Sequence, residues 1–273
     1  MVDIALCFTS ATEVARLIAA GELSPVEATA NALERIDEVN PSLNAFCAIY
    51  ADEARAEAEQ RTKDLSAATE RGPLYGVPIA LKDGTPTKGR RTTLGSYAYE
   101  HWIPDHDAAI VIALRRAGAI VVGKTTLPEF AHSSFTESPL LGITRNPWTP
   151  AHTPGGSSGG AGAAVASGCV PLAEGTDMGG SVRIPAAWCG LVGLKPSLGR
   201  IPQDILPSTF DNLAHHGPLA RTVDDARLFL RATQGPDDRD IQSIGAPLDL
   251  DGPTAGDVNG KRFALSIDLG GWW

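Results

Sequence analysis

The feature that most constrains this sequence is the stretch from residue 153 to residue 185, in which glycine, serine and alanine crowd together. Nine of the chain's 29 glycines fall within residues 153–181. Such a density predicts tight turns, positive φ angles or close approach of the backbone to a ligand. A solvated linker is the alternative, but apolar runs at residues 163–166 and 169–173 interleave these glycines, unlike a Gly/Ser spacer. We therefore expect a folded functional site here.

The composition describes an acidic globular chain of 273 residues with a formal net charge of −9. No basic surface is expected to draw it directly to nucleic acid or to an anionic membrane. The longest apolar run, residues 108–114, is far too short for a bilayer span, and the first residues lack the basic region of a signal peptide. The four cysteines form no C-x-x-C pair and are predicted to be free, buried thiols. These features predict a cytoplasmic protein.

Helix signals and short apolar runs alternate along the chain. Ser10 and Ser24 are predicted to cap two helices, of which Gly21 ends the first and Pro41 closes the second. Further helices are predicted over residues 51–68, 106–117, 184–188 and from Thr222 to about residue 232, and strands over residues 45–50, 77–81, 119–122, 190–194 and 263–267.

This alternation predicts an α/β fold with a mixed β-sheet flanked by helices on both faces. Residues 1–70 are predicted to form an N-terminal helical segment and residues 71–273 the α/β core. The chain ends in Trp272 and Trp273, two large aromatic residues that a complete domain seldom leaves exposed. The fold is therefore expected to be incomplete at its C-terminus.

Two serine clusters, 24 residues apart, carry the chemistry that can be read from the central stretch. Ser181 lies in a glycine turn whose backbone N–H groups could hold an oxyanion, although an ordinary turn capped by Ser181 is an equal alternative. Ser157 lies in a G-x-S-x-G sequence, the nucleophile motif of α/β-hydrolases. The polar, proline-broken residues 145–154 before it do not supply the strand that this motif needs.

Other polar side chains give weaker indications of a functional role. Lys82 ends an apolar run, where desolvation can make a lysine a neutral general base, but a surface charge is the commoner role. Arg183 is expected to pair with Asp177 rather than to meet a substrate carboxylate. The six histidines show no metal-ligand spacing, and no metal is predicted.

The whole set of motifs resembles the amidase signature family of amide hydrolases, over about residues 10 to 267. The order and number of these motifs make a chance match improbable. They lie at residues 73–83, 125–130, 144–148, 154–160, 175–183, 189–196 and 217–222.

The resemblance implies a Ser–cis-Ser–Lys triad, a variant of the serine–base arrangement. Ser181 would be the nucleophile, Ser157 the bridging serine after a cis peptide, and Lys82 the base. The remaining implied roles are an oxyanion hole formed by the backbone N–H groups of Met178, Gly179, Gly180 and Ser181, and orientation of the relay by Ser158, Thr176, Asp177 and Arg183.

The implied function is hydrolysis of a small or aryl amide without a cofactor, with esters or carbamates as further substrates. An amidotransferase A-type subunit, which makes ammonia for tRNA-dependent amidation, is the alternative. Two further alternative functions are a non-catalytic interaction domain and an esterase that uses Ser157 as its nucleophile. Departures from the family at Gly84 and at His215 and His216 are expected to affect substrate choice. The family also implies a C-terminal remainder of the fold as a partner, and a homodimer is compatible with an acidic enzyme of this type.

Overall fold

The structure is a computed structural model that describes residues 2–65, 71–208, 210–252 and 258–266. The helices are α1 (Ile4–Cys7), α2 (Ala11–Ala20), α3 (Pro25–Leu43), α4 (Ala51–Asp64), α5 (Ala109–Arg116), α6 (Gly159–Ala166), α7 (Arg183–Cys189) and α8 (Val223–Thr233). The strands are β1 (Phe46–Ile49), β2 (Pro78–Lys82), β3 (Ile120–Thr125), β4 (Glu137–Ser138), β5 (Gly142–Ile143), β6 (Leu172–Asp177), β7 (Val192–Gly193) and β8 (His215–Ala220).

Helices α2 and α3 begin at the predicted caps. The Ser10 side chain accepts a hydrogen bond from the Glu13 backbone, and Ser24 forms a complete capping box with its N3 glutamate. The predicted end of the second helix is wrong, because Pro41 lies inside α3. Its ring removes only its own N–H, and the Asn44 N–H still donates to the Asn40 carbonyl at 2.8 Å. The helix therefore ends at Asn44, which has a φ of 52°.

Six strands form one mixed sheet in the order β1-β3-β2-β6-β8-β7. Strand β2 pairs in parallel with β3 and with β6, whereas β1, β8 and β7 pair antiparallel with their neighbours. Strands β4 and β5 form a separate two-stranded hairpin. The predicted mixed α/β sheet is confirmed.

Helices cover both faces of this sheet, as alternate strand residues show. Ile79 of β2 and Val121 of β3 belong to a buried cluster with residues of α2, α5 and α8. Ala80 and Val122, the next residues of the same strands, belong to a second cluster with α3, α4, α6 and α7. Because α2 and α3 pack into these two clusters, the N-terminal segment shares the core of the sheet. A division of the chain at residue 70 stays a prediction.

Helix α6 carries glycines because it packs directly on the sheet. All eight of its residues are buried. A Cβ added to Gly160 would lie 2.4 Å from the backbone nitrogen of Thr126, which follows β3. Since glycine is a poor helix former, this close approach is the reason for its use here. The result is that the start of α6 lies against the carboxyl ends of β2 and β3.

Sequence and structure differ further at two strands and at the end of one helix. The predicted strand at residues 263–267 is wrong for residues 263–266, which form no strand, because Phe263 and Leu265 are 78% and 87% exposed and pair with nothing in the sheet. Strand β8 was missed, since its two histidines and Gly-Pro sequence weaken a strand signal. Helix α4 ends at Asp64 rather than residue 68. Residues 66–68, Ile267, Trp272 and Trp273 lie outside the described residues.

Within the described ranges, no helix combines the length and the apolar character needed to cross a bilayer. The four cysteines are free, as predicted, although Cys47 is only partly buried.

Candidate active site

Three neighbouring elements bring the predicted polar residues together. Lys82 is the last residue of β2, Thr176 lies near the end of the adjacent parallel strand β6, and Ser157 and Ser158 immediately precede α6. Parallel strands present their carboxyl ends at one edge of a sheet, where functional groups commonly collect. The start of α6 lies over this edge, so its serines face the lysine.

The Lys82 amine is completely buried and surrounded by hydroxyl groups. Its Nζ lies 2.8 Å from Ser157 Oγ, 3.0 Å from Ser158 Oγ and 2.8 Å from Thr176 Oγ1. Burial lowers the pKa of Lys82 from 10.5 to about 7, although the charges of Glu174 and Asp177 oppose that shift. Near neutral pH this amine can therefore accept a proton, which an exposed lysine does not do.

The two serines before α6 differ in their contacts. The peptide bond between Gly156 and Ser157 is cis, and the Ser157 side chain is buried beside the lysine. Ser158 donates its backbone N–H to the Ser181 carbonyl at 3.1 Å and its hydroxyl to the Thr176 carbonyl at 3.3 Å. Residues 144–156 contain no strand, so Ser157 is not on a strand-to-helix nucleophile elbow.

Ser181 lies beside this group in the turn between β6 and α7. It is partly exposed, and its hydroxyl donates to none of the described residues. The structure therefore brings Lys82, Ser157, Ser158 and Thr176 into one hydrogen-bonded group. It places Ser181 next to that group through the backbone contact with Ser158, without a hydrogen bond between the Ser181 and Ser157 side chains.

Asp177 fixes the shape of this turn. Its completely buried carboxylate accepts from the Gly180 and Val182 backbones at 2.7 Å and 3.1 Å, and Arg183 binds it through Nε at 3.0 Å and Nη2 at 2.8 Å. Burial alone would raise the pKa of Asp177, but these donors outweigh it and hold the pKa at about 2. Arg183 thus pairs with Asp177 through two nitrogens.

The turn also holds the predicted oxyanion donors. The Gly180 N–H donates to Asp177, so its direction differs from that expected for an oxyanion hole. In the described part of the chain, the N–H groups of Met178, Gly179 and Ser181 donate to no residue. Met178 and Gly179 are exposed, and a Cβ added to Gly179 would meet no atom within 4 Å. These three groups form the open side of the turn.

Two buried groups lie behind the lysine: Glu174, which sequence reasoning missed, and His216, which was expected only to affect substrate choice. Glu174 and His216 are both completely buried, and His216 Nδ1 lies 2.8 Å from Glu174 Oε1. A charged residue directly after the apolar run of residues 170–173 was the signal that could have pointed to Glu174. The sequence marked His216 only as a departure from the family, because the strand that buries it, β8, was not predicted. Among the described residues, no group of His, Cys, Asp and Glu could hold a metal ion.

A cavity of about 700 Å³ lies among residues 128–143, in the segment that borders the cis peptide. Half of its lining is apolar, and the other half is polar or charged. The apolar residues are Pro128, Phe130, Phe135, Pro139 and Ile143, and the polar ones are Glu129, His132, Ser133, Glu137 and Ser138. The segment that lines it borders the cis peptide, because a Cβ added to Gly156 would lie 2.7 Å from the Phe135 nitrogen. The lysine and the serines of the hydrogen-bonded group do not line this cavity, which borders the site through Gly156.

Comparison with known proteins places the chain among enzymes that act on amides. The family model described as Amidase matches residues 27–273. The A-type subunit of the glutamyl-tRNA(Gln) amidotransferase of Acidothermus cellulolyticus is 46% identical over 96% of this chain and 52% of its own length. The acylamidase of Rhodococcus erythropolis is 44% identical over 97% of this chain and 56% of its own length. The chain thus spans about half the length of the relatives it matches.

Solved structures show the same similarity. A bacterial aryl acylamidase of the amidase signature family aligns with a TM-score of 0.85 and 35% identity, over 89% of this chain and 51% of that one. A 6-aminohexanoate cyclic dimer hydrolase, solved in complex with its substrate, aligns with a TM-score of 0.80 and 38% identity, over 89% of this chain and 49% of that one.

Proposed function

This chain belongs to the amidase family, and on that premise we propose that it hydrolyses carboxylic amides through a seryl acyl-enzyme. The observation that carries the proposal is the Lys82 amine, which is completely buried, has a pKa of about 7 and lies 2.8 Å from Ser157 Oγ. A base of this pKa is half neutral near pH 7 and is matched to proton transfer between hydroxyl groups.

In the proposed mechanism, neutral Lys82 takes the Ser157 proton while Ser157 takes the proton of Ser181. The Ser181 oxygen attacks the amide carbonyl, and the tetrahedral intermediate collapses as the relay returns the proton to the leaving amine. Water then attacks the acyl-enzyme by the same route and releases the acid. The mechanism requires the Ser181 hydroxyl to approach Ser157 when substrate binds, since catalytic hydrogen bonds often tighten only in the complex.

The open N–H groups of Met178, Gly179 and Ser181 are proposed to hold the oxyanion, each such donor contributing about 2.7–4 kcal/mol to transition-state stabilisation. Gly180 would instead hold Asp177, and Arg183 would keep that carboxylate in place. The turn would then hold its N–H donors in position before the reaction begins, which is the requirement for electrostatic catalysis.

The aromatic part of the cavity supports an aryl or small apolar acyl group as the preferred substrate. The rings of Phe130 and Phe135 are 51% and 45% exposed, so they are available for contact. Two similar proteins are described as acylamidases, one of them as an aryl acylamidase. Activated esters and carbamates would react through the same acyl-enzyme.

The amidotransferase alternative is supported by relatives described as A-type subunits of such enzymes. Hydrolysis of an aryl anilide by the protein alone would support the amidase proposal. Glutamine cleavage that appears only when partner subunits and charged tRNA are added would support the alternative.

The proposal is tested by treating the full-length protein with a fluorophosphonate and locating the adduct by intact-mass and peptide-mapping spectrometry. We expect one adduct on Ser181, slower labelling of Lys82→Ala, and none of Ser181→Ala. Ser208→Ala, at an exposed serine, serves as the matched control and is expected to label normally. An adduct on Ser157 would support the esterase alternative, and no adduct at all would overturn the proposed function.

A further inference from the structure

Behind the catalytic lysine lies a buried acid–imidazole pair that the proposed mechanism does not use. Glu174 on β6 and His216 on β8 come from adjacent antiparallel strands, and neither side chain has any exposed surface. Burial alone would raise the pKa of Glu174, but its hydrogen bonds and neighbouring charges outweigh burial and lower the pKa, so it is ionised. An ionised carboxylate only accepts hydrogen bonds, and His216 Nδ1 therefore carries the hydrogen of this contact.

The other contacts of Glu174 hold the end of β2. Its Oε2 accepts the backbone N–H of Lys82 at 2.9 Å, and both of its oxygens accept from Thr85 Oγ1, at 3.1 Å and 3.0 Å. Thr85 in turn accepts through its carbonyl from Lys124 Nζ at 2.5 Å. One carboxylate thus fixes the main chain of Lys82 and the first turn after it.

His216 fixes the carboxylate. Its Nε2 has no hydrogen-bond partner among the described residues, so Glu174 is the polar contact that its ring makes. A buried imidazole with one unpaired nitrogen is costly unless its other nitrogen makes a good bond. The ring therefore holds Glu174 in one orientation, in which the second oxygen reaches Lys82.

We propose that Glu174, held by His216, is a positioning residue that sets the place and the proton affinity of the Lys82 amine. This inference rests on the proposed function, in which Lys82 is the base. Glu174 contacts the lysine through the Lys82 backbone, on the side away from the serines, and is completely buried. It would therefore act on the rate of proton transfer and not on substrate binding.

The charges around this pair give the direction of the effect. Facing Glu174 are Lys82 from β2, Lys124 from β3 and His216 from β8, while Asp177 lies on its own strand. Glu174 and Asp177 both raise the pKa of Lys82, against the larger effect of burial. Loss of the Glu174 charge leaves Asp177 as the acid that opposes burial, so the lysine becomes a weaker base.

The test compares the wild-type protein with Glu174→Gln and Glu174→Asp. Fluorophosphonate labelling of Ser181 is measured from about pH 5 to about pH 9, where neutral lysine of this pKa appears. For Glu174→Gln we expect the midpoint of the acid limb to fall by about one pH unit and the plateau rate to fall about tenfold. With an anilide substrate, kcat should fall while KM stays unchanged. Glu174→Asp keeps the charge and should retain the midpoint.

A second set of variants tests the imidazole. His216→Asn keeps an N–H donor near the position of Nδ1, whereas His216→Phe keeps only the ring shape. We expect His216→Phe to lower the plateau rate and His216→Asn to restore most of it. Asp225→Asn is the matched control, because Asp225 is also a completely buried acid but binds Thr12, away from the site. It should lower stability without moving the midpoint.

The outcomes separate the two proposals. Labelling of wild type and Glu174→Gln with the same midpoint and plateau overturns this inference and leaves the proposed function intact. Absence of labelling in the wild type overturns the proposed function, and the inference with it. If Glu174→Gln does not fold, the comparison of His216→Phe with His216→Asn tests the inference. Equal plateau rates for these two variants would overturn the positioning role.

Discussion

Lys82 and Asp177 are both completely buried, and their neighbours give them opposite electrostatic behaviour. Lys82 has only hydroxyl groups within hydrogen-bond distance of its amine, so burial dominates and lowers its pKa to about 7. Asp177 is surrounded by N–H donors and Arg183, so its pKa stays at about 2 in spite of burial. The site thus combines a lysine that loses its proton near neutral pH with an aspartate that stays ionised.

The first prediction concerns pH. Because the Lys82 pKa is lowered to about 7, the amine is neutral above that pH and protonated below it. We expect kcat/KM for an uncharged anilide to rise about tenfold per pH unit below the midpoint and to level off above it. Measurement of kcat/KM against pH checks this. A limb centred near the ordinary lysine value of 10.5 would contradict it.

A second prediction concerns Arg183. Replacement by Ala leaves the buried Asp177 carboxylate with backbone donors alone, and we expect the free energy of unfolding at neutral pH to fall by about 1–3 kcal/mol. Urea unfolding measures the loss. Because the lowered pKa of Asp177 stabilises the fold above its unfolded value of 3.8, the difference from wild type should shrink as pH falls from there toward 2.

Arg16→Ala is the matched control for that experiment. Arg16 pairs with Glu13 on the surface of α2, where its side chain is 54% exposed. An exposed pair of this kind contributes little to stability because both charges stay hydrated. A loss as large as that of Arg183→Ala would show that the buried acid is not the cause.

At the scale of the elements, α6 holds the serines because the glycines at its start let its backbone approach the neighbouring chain closely. Its glycines let the start of the helix reach Thr126 and Thr136, where a Cβ on Gly159 would lie 2.2 Å from the Thr136 hydroxyl. The intrinsic helix-forming tendency of such a segment is poor. Burial of all eight residues supplies the stability that the local sequence does not.

The third prediction tests this packing. Gly160→Ala would place a methyl group 2.4 Å from backbone and side-chain atoms of Thr126, so α6 would have to shift. We expect a loss of about 1–3 kcal/mol in the free energy of unfolding and slower labelling of Ser181. Gly245→Ala is the control, since no atom lies within 4 Å of its added Cβ. Equal stability of the two variants would show that the close approach is not required.

At the scale of the whole molecule, the net charge determines whether the protein can bind nucleic acid directly. The formal net charge of −9 leaves an excess of acid, whereas a protein that binds nucleic acid directly relies on phosphate contacts from Lys and Arg. A role in tRNA-dependent amidation would therefore need a partner to hold the tRNA, whereas hydrolysis of a small amide needs none.

The fourth prediction follows from that charge. The protein alone should show no salt-dependent binding to tRNA, because few phosphates could be neutralised. Filter binding at low and at physiological salt checks this. Retention at low salt that falls steeply as salt is added would contradict the prediction and favour the amidotransferase alternative.

The sequence by itself determined the features that depend on neighbouring residues. Ser10 and Ser24 cap their helices through contacts within one turn, and the serine and lysine motifs could be recognised as short segments. The mixed sheet followed from the alternation of helices and buried strands. Pro41 was misread because a missing N–H in the last turn of a helix does not prevent the next residues from continuing it.

Only the tertiary structure decided what surrounds those residues. Glu174 and His216 are 42 residues apart and meet because β6 and β8 pair in one register, which no local pattern specifies. The Gly180 N–H donates to Asp177, only three residues earlier, because the folded turn sets the direction of this backbone group. The proton affinity of Lys82 likewise depends on burial by α6 and β6, because desolvation is a property of packing and not of sequence.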